Sequence, residues 1–240
     1  MVLQESIGVG MTDTVTFDTV KKIIHSSEYI AVVECKADYN LYNVAYIKAT
    51  VKYRKLFSGK IGADDRCALI MLCEHKKHGY QFLVVTAHLS YNFDHQLNNW
   101  LELKGKISEV IIGNALGNID VYLLGDFNTY RYDPKYNDDL VDSKMDYYSS
   151  IKKYEKDQSA IKIDMFRTYL EITKEYIDTY DLYNRQHDSK IDVPSATTIY
   201  NGKIDFIMVN KDNFSKTILG LYQIFTNYSD HTPLVCDVLL

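Results

Sequence analysis

The chain reads as an α/β (α+β) domain built on mostly antiparallel sheets with helices outside. Three observations carry that reading. Strand-type runs occur in both halves of the 240 residues, and stretches between them place apolar residues at helical spacing. No internal repeat, low-complexity block or Pro/Gly/Ser-rich linker divides the chain. With 46% hydrophobic residues a sizeable core is within reach, so a single domain over residues 1–240 is expected.

The elements follow in order. FDTVKKIIHSSEY (17–29) sets Phe17, Val20 and Ile24 on one stripe, with Thr and Asp upstream to cap a helix. YIAVVECKA (29–37) and NVAYIKATV (43–51) are β-rich runs. CALIMLCE (67–74) and YQFLVVTAHL (80–89) flank the polar turn HKKHG and predict a hairpin. Over residues 92–113, Phe93, Leu97, Trp100, Leu101, Ile107 and Ile111 recur at helical spacing, and Gly113 ends the helix. DVYLLGDF (120–127) is a continuous apolar run of buried-strand type. Residues 130–158 are rich in Tyr, Asp, Lys and Ser and predict a long loop with a helical part, followed by a helix over about 160–178. Strands ATTIYNG (196–202), KIDFIMVN (203–210), LGLYQIFT (219–226) and TPLVCDVLL (232–240) close the chain.

Composition excludes some classes. A net charge of −5 is the wrong sign for a basic nucleic-acid module, so a polyanion site here has to be local or metal-assisted. Cys35, Cys67, Cys73 and Cys236 are widely spaced, and three lie in apolar runs, which predicts reduced core thiols rather than a disulfide or zinc framework. No run approaches the roughly 20 apolar residues of a membrane helix, and no basic-then-apolar leader pattern opens the chain. A soluble intracellular protein without a membrane span or an obligate protein partner is the expectation.

Polar residues gather where strands end. VVTAHLS delivers His88, LLGDFNT delivers Asp126 and Asn128, GKIDFIMV carries Asp205, and YSDHTPLV supplies Asp230 and His231. Singly, each has a bland explanation: a core histidine satisfied by neighbours, or an aspartate forming a turn. Asp205 resists it. A carboxylate flanked by Ile204, Phe206 and Ile207 needs a partner or a metal, because burying it unpaired is costly.

Taken in order, LQE (3–5), TAHL (86–89), GDFN (125–128), KIDF (203–206) and SDH (229–231) resemble the signatures of the endonuclease/exonuclease/phosphatase superfamily, the deoxyribonuclease I-like fold. The resemblance spans the chain from Leu3 to Leu240. It implies a four-layer sandwich, with two mostly antiparallel central sheets flanked by helices and a metal site at one edge. It also implies a first strand carrying an Asn upstream of Gln-Glu. Only four residues precede Glu5, so the chain reads as N-terminally truncated.

Carried onto this sequence, the resemblance implies Mg2+-dependent hydrolysis of a phosphoester, with Mn2+ also admissible. Glu5 and Asp230 are the implied metal ligands. Glu34 in AVVEC competes with Glu5, which is preferred because the segments after it fit the family order. Asp126 would orient or deprotonate the attacking water, and Asn128 would donate to the phosphoryl charge. Asp205 would hold His231 in one tautomer, and His88 would be a second phosphate contact or the general acid. The expected substrate is nucleic acid, for an endonuclease or a deadenylase-like exonuclease. The alternatives are a phosphatase or sphingomyelinase-type activity, or a catalytically impaired binding domain.

Overall fold

The computed structural model describes residues 2–3, 29–36, 42–62, 66–134, 137–149, 158–191, 193, 196–198, 202–224 and 231–240. The strands are β1 (Val2–Leu3), β2 (Tyr29–Lys36), β3 (Tyr42–Lys48), β4 (Val51–Ile61), β5 (Arg66–His75), β6 (Gln81–Ala87), β7 (Asp120–Asp126), β8 (Tyr176–Asp178), β9 (Asp205–Asn210), β10 (Thr217–Gln223) and β11 (Leu234–Leu239). The helices are α1 (Phe93–Gly113), α2 (Asn137–Ser149), α3 (Gln158–Ile172) and α4 (Thr179–His187).

Six strands form the central sheet in the order β4-β5-β6-β7-β9-β8. Its pairs are antiparallel except β6 with β7, where α1 supplies the crossover that a parallel connection requires. Two smaller antiparallel sheets, β1-β3-β2 and β10-β11, complete the α/β arrangement of the described residues.

Alternation decides the layers. On one face Ala68 and Ile70 of β5, Leu83 and Val85 of β6, Val121 and Leu123 of β7, and Phe206 and Met208 of β9 share a core with Trp100, Leu103 and Ile107 of α1. On the other, Cys67, Leu69, Met71 and Cys73 of β5 pack on Cys35 of β2 and on Ala45 and Ile47 of β3. The period-2 split of β5 between two cores is what a strand buried on both faces requires. Helix α1 begins where the Asn92 side chain accepts a 3.0 Å bond from the Asp94 backbone N–H, an N-cap.

Several elements differ from the sequence expectation. NVAYIKATV does not run through: Ala49 and Thr50 turn the chain, and an unforeseen edge strand, β4, follows. The helix expected over 160–178 stops at Ile172; a turn and the short strand β8 intervene, and Asp178 then caps α4 through the Tyr180 N–H at 3.0 Å. Within ATTIYNG the described residues form one bridge, Thr198 to His231. The helical part foreseen within 130–158 is α2. The helix expected over 17–29 lies outside the described residues but for Tyr29, which opens β2.

Candidate active site

The sheet's own register builds the centre of the site. In β7 the residues facing α1 are Val121 and Leu123, and in β9 they are Phe206 and Met208, so Asp126 and Asp205 alternate to the opposite face. The antiparallel pairing then sets Asp126 directly across from Asp205. Two like charges facing each other across a ladder destabilise it. Their neighbourhood is organised to absorb the charge. His231 Nδ1 lies 2.9 and 3.1 Å from the two Asp205 oxygens, and its Nε2 turns toward Asp126 Oδ2 at 3.9 Å.

The loops beyond β6 and β7 bring in the rest. The Leu89 N–H donates to the Asp126 carbonyl at 3.0 Å, extending the β6–β7 ladder so that His88 sits against Asp126, with Nε2 to Oδ2 at 3.5 Å. Asn128 adopts a left-handed conformation, φ 51°, which Asn accepts more readily than most residues. The Asp126 side chain stabilises that turn by accepting the Asn128 N–H at 2.8 Å. Gln96 of α1 donates to the Asn128 carbonyl from the helix side.

His88 is held as a neutral acceptor. The Arg66 guanidinium meets its Nε2 at 3.1 Å, and the Asn128 amide donates to the same nitrogen at 3.0 Å. Burial, then Arg66 and His231, push the His88 pKa down to about 3. With Nε2 accepting from both Arg66 and Asn128, His88 ties Arg66 to the Asn128 loop in this fold, and a phosphate contact or a general-acid role for it is a proposal on the resemblance. Asn128 directs its second amide hydrogen to the Leu89 carbonyl at 2.9 Å, so both hydrogens are engaged within the protein. In this geometry Asn128 organises His88 rather than presenting its amide outward.

Among the residues expected at the site, His88, Asp126, Asn128, Asp205 and His231 come together. Glu5 and Asp230 lie outside the described residues; of the competing Glu34 only the backbone, in β2, is described. Among the described residues, Asp126, Asp205 and His231 offer ligand atoms that all lie within 4.8 Å of one another. Two carboxylates and an imidazole suit a divalent cation, and the carboxylate oxygens suit the hard ones.

Arg66 and Gln96 were not foreseen. Arg66 begins β5, whose pairing of Ala68 with Ala87 puts its start at the same sheet edge as His88. A polar residue opening an apolar run was the available signal. Gln96 sits, fully buried, on the stripe of α1 beside Phe93 and Trp100, and a polar residue at helical spacing between apolar ones was its signal.

This sheet arrangement is that of the deoxyribonuclease I-like fold. Solved structures sharing it include the human Nocturnin catalytic domain with bound sulfate, at 18% identity and TM-score 0.60, covering 99% of this chain and 79% of that one. An endonuclease/exonuclease/phosphatase from Bacteroides vulgatus matches at 17% identity and TM-score 0.59, over 94% and 80% of the two chains. D. rerio TDP2 complexed with a single-strand DNA product matches at 14% and 0.54, over 100% and 85%. No protein-family model matches the chain, and no curated protein matches it in sequence. The likeness is therefore one of fold.

Proposed function

We propose that the chain hydrolyses phosphodiester bonds with the aid of a divalent cation, Mg2+ or Mn2+, and that its substrate is nucleic acid. The observation that carries the reading is the register that opposes Asp126 to Asp205, with His231 bonded to the second carboxylate. A sheet edge that needed only to fold would not oppose two carboxylates.

A cation bound here would polarise a phosphoryl oxygen and stabilise the leaving oxygen. Asp126 is its candidate ligand among the described residues, and Glu5 and Asp230 are proposed as further ligands on the resemblance alone; Asp205 and His231 stand beside it, bonded to each other. Asp126 accepts a proton from the attacking water as the water oxygen bonds to phosphorus and the ester oxygen departs. His231, its Nδ1 side held by Asp205, presents Nε2 on the Asp126 side, where the phosphoryl charge develops. Arg66 carries five N–H donors, and one of them reaches His88, so its guanidinium is the proposed phosphate contact in place of Asn128. A net charge of −5 makes such local cations necessary for a polyanionic substrate.

The bound single-strand DNA product of the zebrafish structure supports nucleic acid as the substrate class. The test is a panel of poly(A) RNA, abasic duplex, supercoiled DNA and sphingomyelin, each with Mg2+ and with EDTA. Mg2+-dependent cleavage of a nucleic acid is expected. Turnover of sphingomyelin alone, or of nothing, overturns the assignment.

A further inference from the structure

The dyad of Asp205 and His231 spans two segments that are not neighbours in the six-stranded sheet: Asp205 opens β9, and His231 precedes β11. One buried residue joins them. Thr197 has no exposed surface, and each of its backbone and side-chain polar groups is engaged. Its Oγ1 accepts the N–H groups of both Ile204 and Asp205, each at 3.1 Å, and donates to the Gly202 carbonyl at 3.4 Å. Its backbone N–H donates to the same carbonyl at 3.0 Å. Its own carbonyl accepts the Thr232 N–H at 2.7 Å, and the next residue, Thr198, bridges to His231.

The double acceptance at Oγ1 is informative. Successive N–H groups of an extended strand point to opposite edges, so two of them reach one oxygen only where the chain bends. The hydroxyl therefore holds the bend at Ile204 from which β9 starts, and that bend aims the Asp205 carboxylate. On its other side Thr197 holds the backbone beside His231. The bond between Asp205 and His231 depends on both.

We propose that Thr197 is a positioning residue for the reaction: its hydroxyl and carbonyl fix the relative placement of Asp205 and His231. This rests on the hydrolase reading above. The mechanism asks for it, since slack of about an ångström in a catalytic constellation costs on the order of 10²-fold in rate. Thr197→Val keeps the shape and removes the acceptor; Thr197→Ser keeps the hydroxyl and removes the methyl.

Two readouts decide the matter. In Mg2+-dependent oligonucleotide hydrolysis, Thr197→Val lowers kcat by about 10²-fold with KM nearly unchanged, and Thr197→Ser stays close to wild type. In proton NMR, the downfield Nδ1–H signal of His231 shifts or broadens in Thr197→Val and keeps its position in Thr197→Ser. A folded Thr197→Val chain with unchanged kcat, or one that changes KM alone, overturns the proposal. Should Thr197→Val fail to fold, Thr197→Ser decides: retained kcat supports the clamp, and loss of kcat overturns it. If the wild type cleaves none of the substrates, the hydrolase reading fails separately, and an Nδ1–H signal unmoved in Thr197→Val then removes the positioning role as well.

Discussion

Replacing Asp126 with asparagine should stabilise the metal-free fold while abolishing turnover. The ligand-capable oxygens of Asp126 and Asp205 lie within 4.8 Å of each other. At an effective dielectric of about 20, two like charges at that distance repel by roughly 332/(20 × 4.8), or about 3.5 kcal/mol. His231, 2.9 Å from Asp205, and Arg66, reaching His88 beside Asp126, offset part of this. About 1–2 kcal/mol of net strain remains as the expected gain, allowing for that compensation and partial exposure. Asparagine keeps Oδ1, so the 2.8 Å bond from the Asn128 N–H survives and the turn is not confounded. Urea unfolding in EDTA, followed by near-ultraviolet circular dichroism, reads the difference. In a chain of this size the gain corresponds to a Tm about 2–8 °C higher. Added Mg2+ should then raise the Tm of the wild type but not that of Asp126→Asn. A variant less stable than wild type in EDTA would refute the reasoning, since the Asp126 carboxylate would then gain more from His88 and His231 than it loses to Asp205.

Three further outcomes are expected. His88 is neutral when folded, with its pKa near 3 against about 6.5 unfolded, so as pH falls through that window the unfolded chain gains a proton the fold refuses. Stability should drop by about 1.4 kcal/mol per pH unit from this group below pH 6.5, and the same titration of His88→Gln should be correspondingly flatter. The buried Lys203 amine lies 2.6 Å from Asp178, and Lys203→Met should cost on the order of 3 kcal/mol in denaturant melts by leaving that carboxylate underpaired, with Asp178→Asn added to it recovering part of the loss. In Gly202→Ala the new Cβ would stand 2.5 Å from the Tyr130 ring, so a loss of about 1–3 kcal/mol is expected, and a neutral result would mean the ring swings aside without cost.

Much of the site was legible because burial imposes a pattern. Apolar residues on β6, β7 and β9 alternate toward α1, so the polar residues that interrupt them at the strand ends stood out as His88, Asp126, Asn128 and Asp205. That the two aspartates share a face and lie opposite each other was not legible, because β7 and β9 are far apart in sequence and their pairing and register are tertiary properties. Strand β4 was missed for a related reason. Lys52, Arg54 and Lys55 face solvent on a sheet edge, where charge protects against association and erases the apolar alternation. The boundary between α3, β8 and α4 was hidden because apolar residues continue through Ile172, Tyr176 and Ile177, and the change of direction rests on Asp178 acting as a cap. Arg66 escaped notice because its partner, His88, is reached only through the β5–β6 pairing.

The central claim is that the cluster at the ends of β7 and β9 cleaves phosphoesters, and one measurement tests it most directly. Release of p-nitrophenol from bis-p-nitrophenyl phosphate would be followed in Mg2+ and in EDTA for the wild type and for His231→Ala. The account predicts Mg2+-dependent release by the wild type, and a kcat lower by roughly 10²- to 10⁴-fold in His231→Ala with its unfolding transition intact. Equal rates from the two proteins, or release that persists undiminished in EDTA, would contradict it.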